Sequence, residues 1–119
     1  MITNDDMDSV FHALAHTTRR AILDHVRAEP GLPVGKLARK FDVSRIAVMN
    51  HLAVLEKAGL IISGKDGRTR RLYMNVMPIQ GIYDRWTDTF SAHWADRLST
   101  IKYAAEAVAR KSERGNEDD

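Results

Sequence analysis

The chain has 119 residues, with 18 Lys and Arg against 16 Asp and Glu, no Cys and 44% hydrophobic residues. That length suits one compact domain with a modest core and excludes a large two-domain enzyme. Without cysteine there is no disulfide framework, zinc ribbon, iron–sulfur cluster or thiol nucleophile.

In chain order, Asp6 or Asp8 is expected to cap a short first helix with Val10, Phe11, Leu14 and Ala15 on one face. Thr17 or Thr18 caps a second helix, with Ala21, Ile22 and Val26 inward and Arg19, Arg20 and Arg27 outward. The stretch from Glu29 to Pro33 ends it, because proline cannot continue the hydrogen-bond ladder. Val34 to Lys40 reads as another short helix, and Phe41-Asp42-Val43 as a tight turn. Ser44 then caps a longer helix from Arg45 to about Ala58 with an inward stripe of Val48, Leu52 and Leu55. Gly59 supplies the left-handed residue that stops it. Leu60 to Ser63 reads as a strand, Gly64 to Gly67 as a hairpin loop and Arg70 to Asn75 as the returning strand. Two strands alone are marginal in water, so the hairpin must pack on the helices. The expected class is mainly α with a small β-hairpin wing, a winged helix-turn-helix.

Pro78 is placed at the first position of the last helical region, where its missing N–H does no harm. Apolar residues recur in steps of three and four from Ile79 through Ile82, Tyr83, Trp86, Phe90, Trp94, Leu98, Ile101 and Ala105 to Val108. That is about 30 residues of helix, roughly 45 Å long, with a break suggested near Thr87, Thr89 and Ser91. Two Trp and a Phe on one stripe need more partner surface than so small a domain offers. A second copy of the chain is the simplest supplier, and packing within the monomer is the alternative. Residues 1–110 read as a single domain, and the polar residues from Lys111 to Asp119 as a disordered tail.

The charge is unevenly spread. Residues 1–33 sum to −2, residues 34–71 to +6 and residues 72–119 to −2. A central basic block attracts a polyanion, and nucleic acid is the commonest. In a helix-turn-helix the second helix offers its exposed N-terminal side chains to the major groove. With Val48, Leu52 and Leu55 inward, Arg45, Ile46, Met49, Asn50 and Ala53 face out. Arg45 suits guanine, Asn50 suits adenine, and the apolar residues suit thymine methyl groups. Ser44, the helix N-terminus and nearby Lys36, Arg39 and Lys40 suit phosphate, although Ser44 can equally serve as a cap alone. On the hairpin, Lys65, Arg68, Arg70 and Arg71 crowd together, with Arg68 at the tip placed for the minor groove. Arg70 and Arg71 also fit a charged edge strand that resists aggregation.

The run Phe11-His12-Ala13-Leu14-Ala15-His16-Thr17-Thr18-Arg19-Arg20-Ala21-Ile22-Leu23 resembles the opening of the ArsR/SmtB family of bacterial repressors. Met49-Asn50-His51-Leu52-Ala53-Val54-Leu55-Glu56-Lys57-Ala58-Gly59-Leu60-Ile61 is similar to that family's recognition helix and wing entry. Gly67-Arg68 with Arg71-Leu72-Tyr73 is similar to its wing. The matches span roughly Val10 to Asn75, and their order and spacing make the set specific. The resemblance implies a homodimeric repressor on double-stranded DNA, with two recognition helices in successive major grooves of an imperfect palindrome. It also implies dimerisation through the first and last helices, which gives Val10, Phe11, Leu14, Ile82, Trp86, Phe90, Trp94, Leu98 and Ile101 as interface residues. His51, in the family's His-Leu pair, is expected to orient the recognition helix or meet a phosphate. Trp94-Ala95-Asp96-Arg97-Leu98 further resembles a metal-independent branch with a long, Trp-bearing last helix.

Where metal-sensing branches carry Cys-X-Cys, this chain has Val34-Gly35-Lys36, so no thiolate site forms there. Near a second metal site of the family lie Asp84, Asp88, His93 and Asp96, but a second histidine is missing. His12 and His16, four apart, have ligand spacing yet straddle a helix end. No metal or cofactor is therefore expected, and no constellation for catalysis assembles. The acidic, polar start from Met1 to Ser9 does not read as a secretory signal, and nowhere do 18 apolar residues run together, so the expected address is the cytoplasm. Two other readings share the fold: a sensor gated by a metal or a small hydrophobic effector, and an interaction module that binds protein instead of DNA.

Overall fold

The computed structural model describes the backbone of residues 2–87 and 91–117, and the side chains of residues 2–87 and 97–112. The chain divides into two units, Met1–Ile82 and Tyr83–Asp119.

The first unit opens with α1 (Asn4–Leu14), capped by Thr3 and not by Asp6 or Asp8. Thr3 Oγ1 accepts from the Asp6 N–H at 3.0 Å while the Asp6 carboxylate accepts from the Thr3 N–H at 3.1 Å. Asp6 is thus the reciprocal half of a capping box, which satisfies two backbone donors together. That bonding holds its carboxyl below the ordinary aspartate pKa. The second helix, α2 (Thr17–Ala28), is capped by His16, whose Nδ1 accepts from the Thr18 N–H at 3.1 Å. An imidazole nitrogen offers a lone pair as a hydroxyl does, so Thr17 and Thr18 enter the helix and leave the cap.

After α2, Gly31 takes a φ of +85° and leads into β1 (Leu32–Pro33), an edge strand not foreseen from the sequence. Its φ lies where side chains are strained, which fits glycine. The short helix α3 (Val34–Ala38) follows directly and stops two residues before Lys40. Next comes α4 (Arg45–Lys57), where Ser44 Oγ accepts from the Ala47 N–H at 3.1 Å and Gly59, at φ +77°, ends the helical run. Both signals were legible, and they fix both ends of the helix.

The hairpin consists of β2 (Ile61–Asp66) and β3 (Thr69–Met74), with Ile61 opposite Met74 and Asp66 opposite Thr69. Only Gly67 and Arg68 form the turn, so Lys65 and Asp66 belong to the ladder and not to a four-residue loop. Gly67 has φ +64°, as a two-residue hairpin turn demands of its first central residue. Strand order is β1-β3-β2, all antiparallel, with Leu32 opposite Leu72.

Val48, Leu52 and Leu55 of α4 are fully buried with Ile22, Val26, Leu32, Leu37, Leu60 and Leu72. Each such side chain contributes about 1.5–3 kcal/mol relative to exposure. The same core takes Val10, only 1% exposed, which corrects its assignment to a dimer interface. A side chain already enclosed by its own chain has no surface left to offer a partner. Phe11 instead is half exposed, and Leu14 packs partly on the core.

The helix α5 (Met77–Thr87) starts one residue before Pro78, with the Asn75 side-chain oxygen accepting from the Met77 N–H. Its first half packs Ile79 and Ile82 against the core, so Ile82 is partly spent there. The expected helical region of about 30 residues, with its suggested break near Thr87, Thr89 and Ser91, comprises two helices, α5 ending at Thr87 and α6 (Ser91–Glu117). In the last turn of α5, Thr87 Oγ1 donates back to the Tyr83 carbonyl at 2.6 Å. Residues Lys111 to Glu117, read from sequence as a tail, continue α6. In the second unit Tyr83, Trp86, Leu98, Ile101, Tyr103 and Val108 are exposed. Phe90, Trp94, Asp88, Thr89, His93 and Asp96 lie outside the described residues or side chains.

Candidate nucleic-acid interface

Three elements of the first unit converge on one open groove of about 370 Å³, formed by α3, the start of α4 and the hairpin turn. Lys36 comes from α3 and Arg39 from its C-terminal cap, Arg45 from the first turn of α4, Arg68 from the hairpin turn and Arg70 from β3. Five cations line it together with Met49, and no carboxylate does. Like charges at this density repel one another unless an anion meets them.

The cations are not equivalent. Lys36 pairs with Glu29 at 2.9 Å, both side chains about half exposed, and this holds the Glu29 carboxyl below its ordinary pKa. Arg70 pairs with Glu56 of α4, so the second strand of the wing is tied to the long helix. Arg71 donates to Asp66 at 3.0 Å and to the Gly31 carbonyl at 3.1 Å, bracing the sheet. These three charges are partly offset within the chain, and Arg71 serves structure first. The side chains of Arg39, Lys40, Arg45, Lys65 and Arg68 are exposed and make no hydrogen bond or ion pair among the described residues. They are the cations left for a polyanion.

On α4 the burial of Val48, Leu52 and Leu55 turns Arg45, Ile46, Asn50 and Ala53 outward, and Ile46 is 74% exposed. An aliphatic side chain that exposed, beside an arginine and an asparagine, suits contact with a thymine methyl. Met49 lines the groove but also packs against the core, so only part of it faces out. Ser44 caps the helix and stays exposed beside it.

His51 departs from its place among the outward contacts. Its ring is half-buried, its Nδ1 lies 3.3 Å from Nη1 of Arg19, and its ring centroid lies 4.4 Å from that of His16. Arg19, expected outward on α2, is only 8% exposed. Its guanidinium donates to the carbonyls of Ala13 at 2.8 Å and His12 at 2.9 Å, and Arg20 donates to Leu14 at 2.7 Å. Among the last carbonyls of α1, that of His12 also takes the Ala15 N–H at 3.2 Å, and the two arginines supply partners for those of Ala13 and Leu14. The signal for this was present in the sequence. Arg19 and Arg20 sit in the first turn of a helix with no acidic residue there, against the helix dipole, which calls for acceptors from elsewhere.

Nδ1 of His16 is taken up by the helix cap, and among the described residues no three His, Asp or Glu side chains gather into a metal site. No helix is long and apolar enough to cross a membrane among the described residues.

Residues 14–63 match a family model described as a helix-turn-helix domain. The chain is similar to the HTH-type transcriptional regulator YuzN of Bacillus subtilis (strain 168), 36% identical over 91 residues that cover 71% of this chain and 99% of that protein. It is 30% identical to the transcriptional repressor SdpR of Bacillus subtilis (strain 168) over 74 residues, 62% of this chain and 81% of that one. Among solved structures, an ArsR-like transcriptional regulator from Rhodococcus sp. RHA1 superposes with a TM-score of 0.63 at 33% identity, over 85% of this chain and 93% of that chain.

Proposed function

The chain belongs to the ArsR family of DNA-binding transcriptional regulators, and on that premise we propose that it is a cytoplasmic homodimeric repressor of an inverted-repeat operator. The observation that carries the reading is the groove lined by five cations, of which Arg39, Arg45 and Arg68 have no ion-pair partner among the described residues, set at the N-terminus of a helix that turns Arg45, Ile46 and Asn50 outward. In this reading Arg45 and Asn50 read base edges, Ile46 and part of Met49 touch thymine methyls, and Arg39, Lys40 and Ser44 hold the phosphate backbone. Arg68, on the turn, enters the minor groove, and Lys36, Lys65 and Arg70 add positive potential around it. The resemblance to a named repressor supports repression as the outcome.

Support for the dimer comes from apolar surface. Phe11 on α1, Trp86 on α5 and Leu98 and Ile101 on α6 stand half exposed or more, with Trp86 at 68%. A second copy offers each of them an equivalent apolar surface. Two copies then present two reading helices about one turn of DNA apart.

A salt titration on a selected duplex tests the docking surface. Six phosphate contacts per dimer give a log–log slope of about −5. A slope near zero would remove the groove from the interface. Sedimentation of the free chain tests the dimer, and a monomer at micromolar concentration would contradict it.

A further inference from the structure

Arg19 joins three elements at one buried point. Its Nε and Nη2 donate to the carbonyls of Ala13 and His12 at the end of α1, and its Nη1 faces Nδ1 of His51 on α4 at 3.3 Å. A guanidinium has donors only, so Nδ1 of His51 is the acceptor and the neutral ring carries its proton on Nε2. The His16 ring lies against that of His51, tilted by 48°. His51 directly follows Asn50 on the outward face of the reading helix, so whatever fixes His51 fixes that face.

We propose that the Arg19–His51–His16 cluster positions α4 for reading DNA and releases it in acid, so that operator affinity falls as His51 takes up a proton. The inference rests on α4 being the reading helix.

The chemistry is set by one atom. To become charged, His51 must take its second proton on Nδ1, the atom that accepts from Arg19. The hydrogen bond is then lost and two donors face each other, while arginine keeps its own proton at any physiological pH. The charged and titratable groups facing the ring are Arg19 in α2 and His16 at its cap. From α1 come only the carbonyls of His12 and Ala13, both engaged by Arg19. Neither α3 nor β2 adds a charged group acting on the ring among the described residues. Burial first, and then these two neighbours, hold His51 below the ordinary histidine pKa. A lowered pKa means that the closed cluster is fully stabilising above the ordinary histidine range and weakens as pH falls through the lowered value. Separation of His51 from Arg19 relieves the contact and shifts the reading face.

The direction is diagnostic. Protonating a histidine at a DNA surface ordinarily adds positive charge and tightens phosphate binding. Here acid is expected to weaken it.

The test uses the full chain, a duplex selected from a random pool, and equilibrium anisotropy at about pH 7.5 and about pH 5.5 at fixed ionic strength, a window spanning the ordinary histidine pKa. The wild type is expected to lose about three- to tenfold in affinity on acidification, the size of a shift of up to one pKa unit. His51→Gln keeps an acceptor oxygen for Arg19 and does not titrate, so its affinity should hold across the same range. Nuclear magnetic resonance of the wild-type imidazoles needs no variant. By linkage, the His51 pKa should fall further when the duplex is added. A pKa that rises on adding DNA would put the ring on a phosphate and overturn the proposal, as would the same pH profile in wild type and His51→Gln. Absence of binding to any duplex at pH 7.5 would instead bring down the DNA reading itself, and this inference with it.

Discussion

The two units use their apolar residues in opposite ways. In α4, at the centre of the first unit, Val48, Leu52 and Leu55 are fully buried and only Ile46 is left conspicuously in water. In the second unit the same helical spacing leaves Tyr83, Trp86, Leu98, Ile101 and Val108 exposed, and Tyr103 is exposed as well. An amphipathic stripe therefore does not by itself say what covers it. In the first unit the stripe of α4 is covered by its own chain, and the opposite side of that helix turns Arg45, Ile46 and Asn50 outward. The second displays a surface whose cover is, in our reading, another copy.

The largest effect should come from breaking the covered stripe. Leu52→Ala opens a cavity beneath the reading helix and should cost about 2–5 kcal/mol of stability, read from urea unfolding. An unchanged midpoint would mean that the core is not where these contacts place it. Breaking the uncovered stripe should behave differently. Ile101→Asp should leave the helical circular dichroism intact, convert the chain to a monomer in sedimentation, and reduce operator affinity about 100-fold through loss of bivalent binding.

Smaller effects sharpen the contrast within the reading head. Arg45→Ala should cost about 1–3 kcal/mol at particular base pairs. Arg68→Ala should weaken all sequences more evenly and reduce the salt slope by about one per protomer. Equal losses on every sequence for Arg45→Ala would place the reading face elsewhere. The smallest effect is at the exposed cap of α1. The lowered Asp6 pKa implies stability that is present above the ordinary aspartate value and lost as pH falls through the lowered one. Asp6→Asn should remove that part of the acid dependence below about pH 4, visible as a flatter profile of thermal midpoints.

What was legible in the sequence was local. Ser44, the stripe of Val48, Leu52 and Leu55, and Gly59 lie within one helix, and each reports on its own backbone. The wing was legible in kind but not in extent, because Lys65 and Asp66 are polar yet paired, and polarity does not distinguish an exposed ladder from a loop. The two-residue strand β1 exists only because β3 is there to pair with Leu32 and Pro33. Long-range chemistry was the least legible. Arg19 read as an outward cation, and its partner His51 lies 32 residues away. The resemblance places Val10 in the dimer, although Met7, Val10 and Ala13 are the inward face of α1 and Phe11 is the half-exposed one.

The central claim is that the cationic groove and the outward face of α4 read an inverted repeat as a pair. The most direct measurement is sequencing of the duplexes that the full chain retains from a random pool. Two half-sites in inverted orientation should be enriched, their centres about 10 base pairs or a multiple apart. Retention of duplexes with no enriched motif would contradict it and leave a chain that binds the DNA backbone alone.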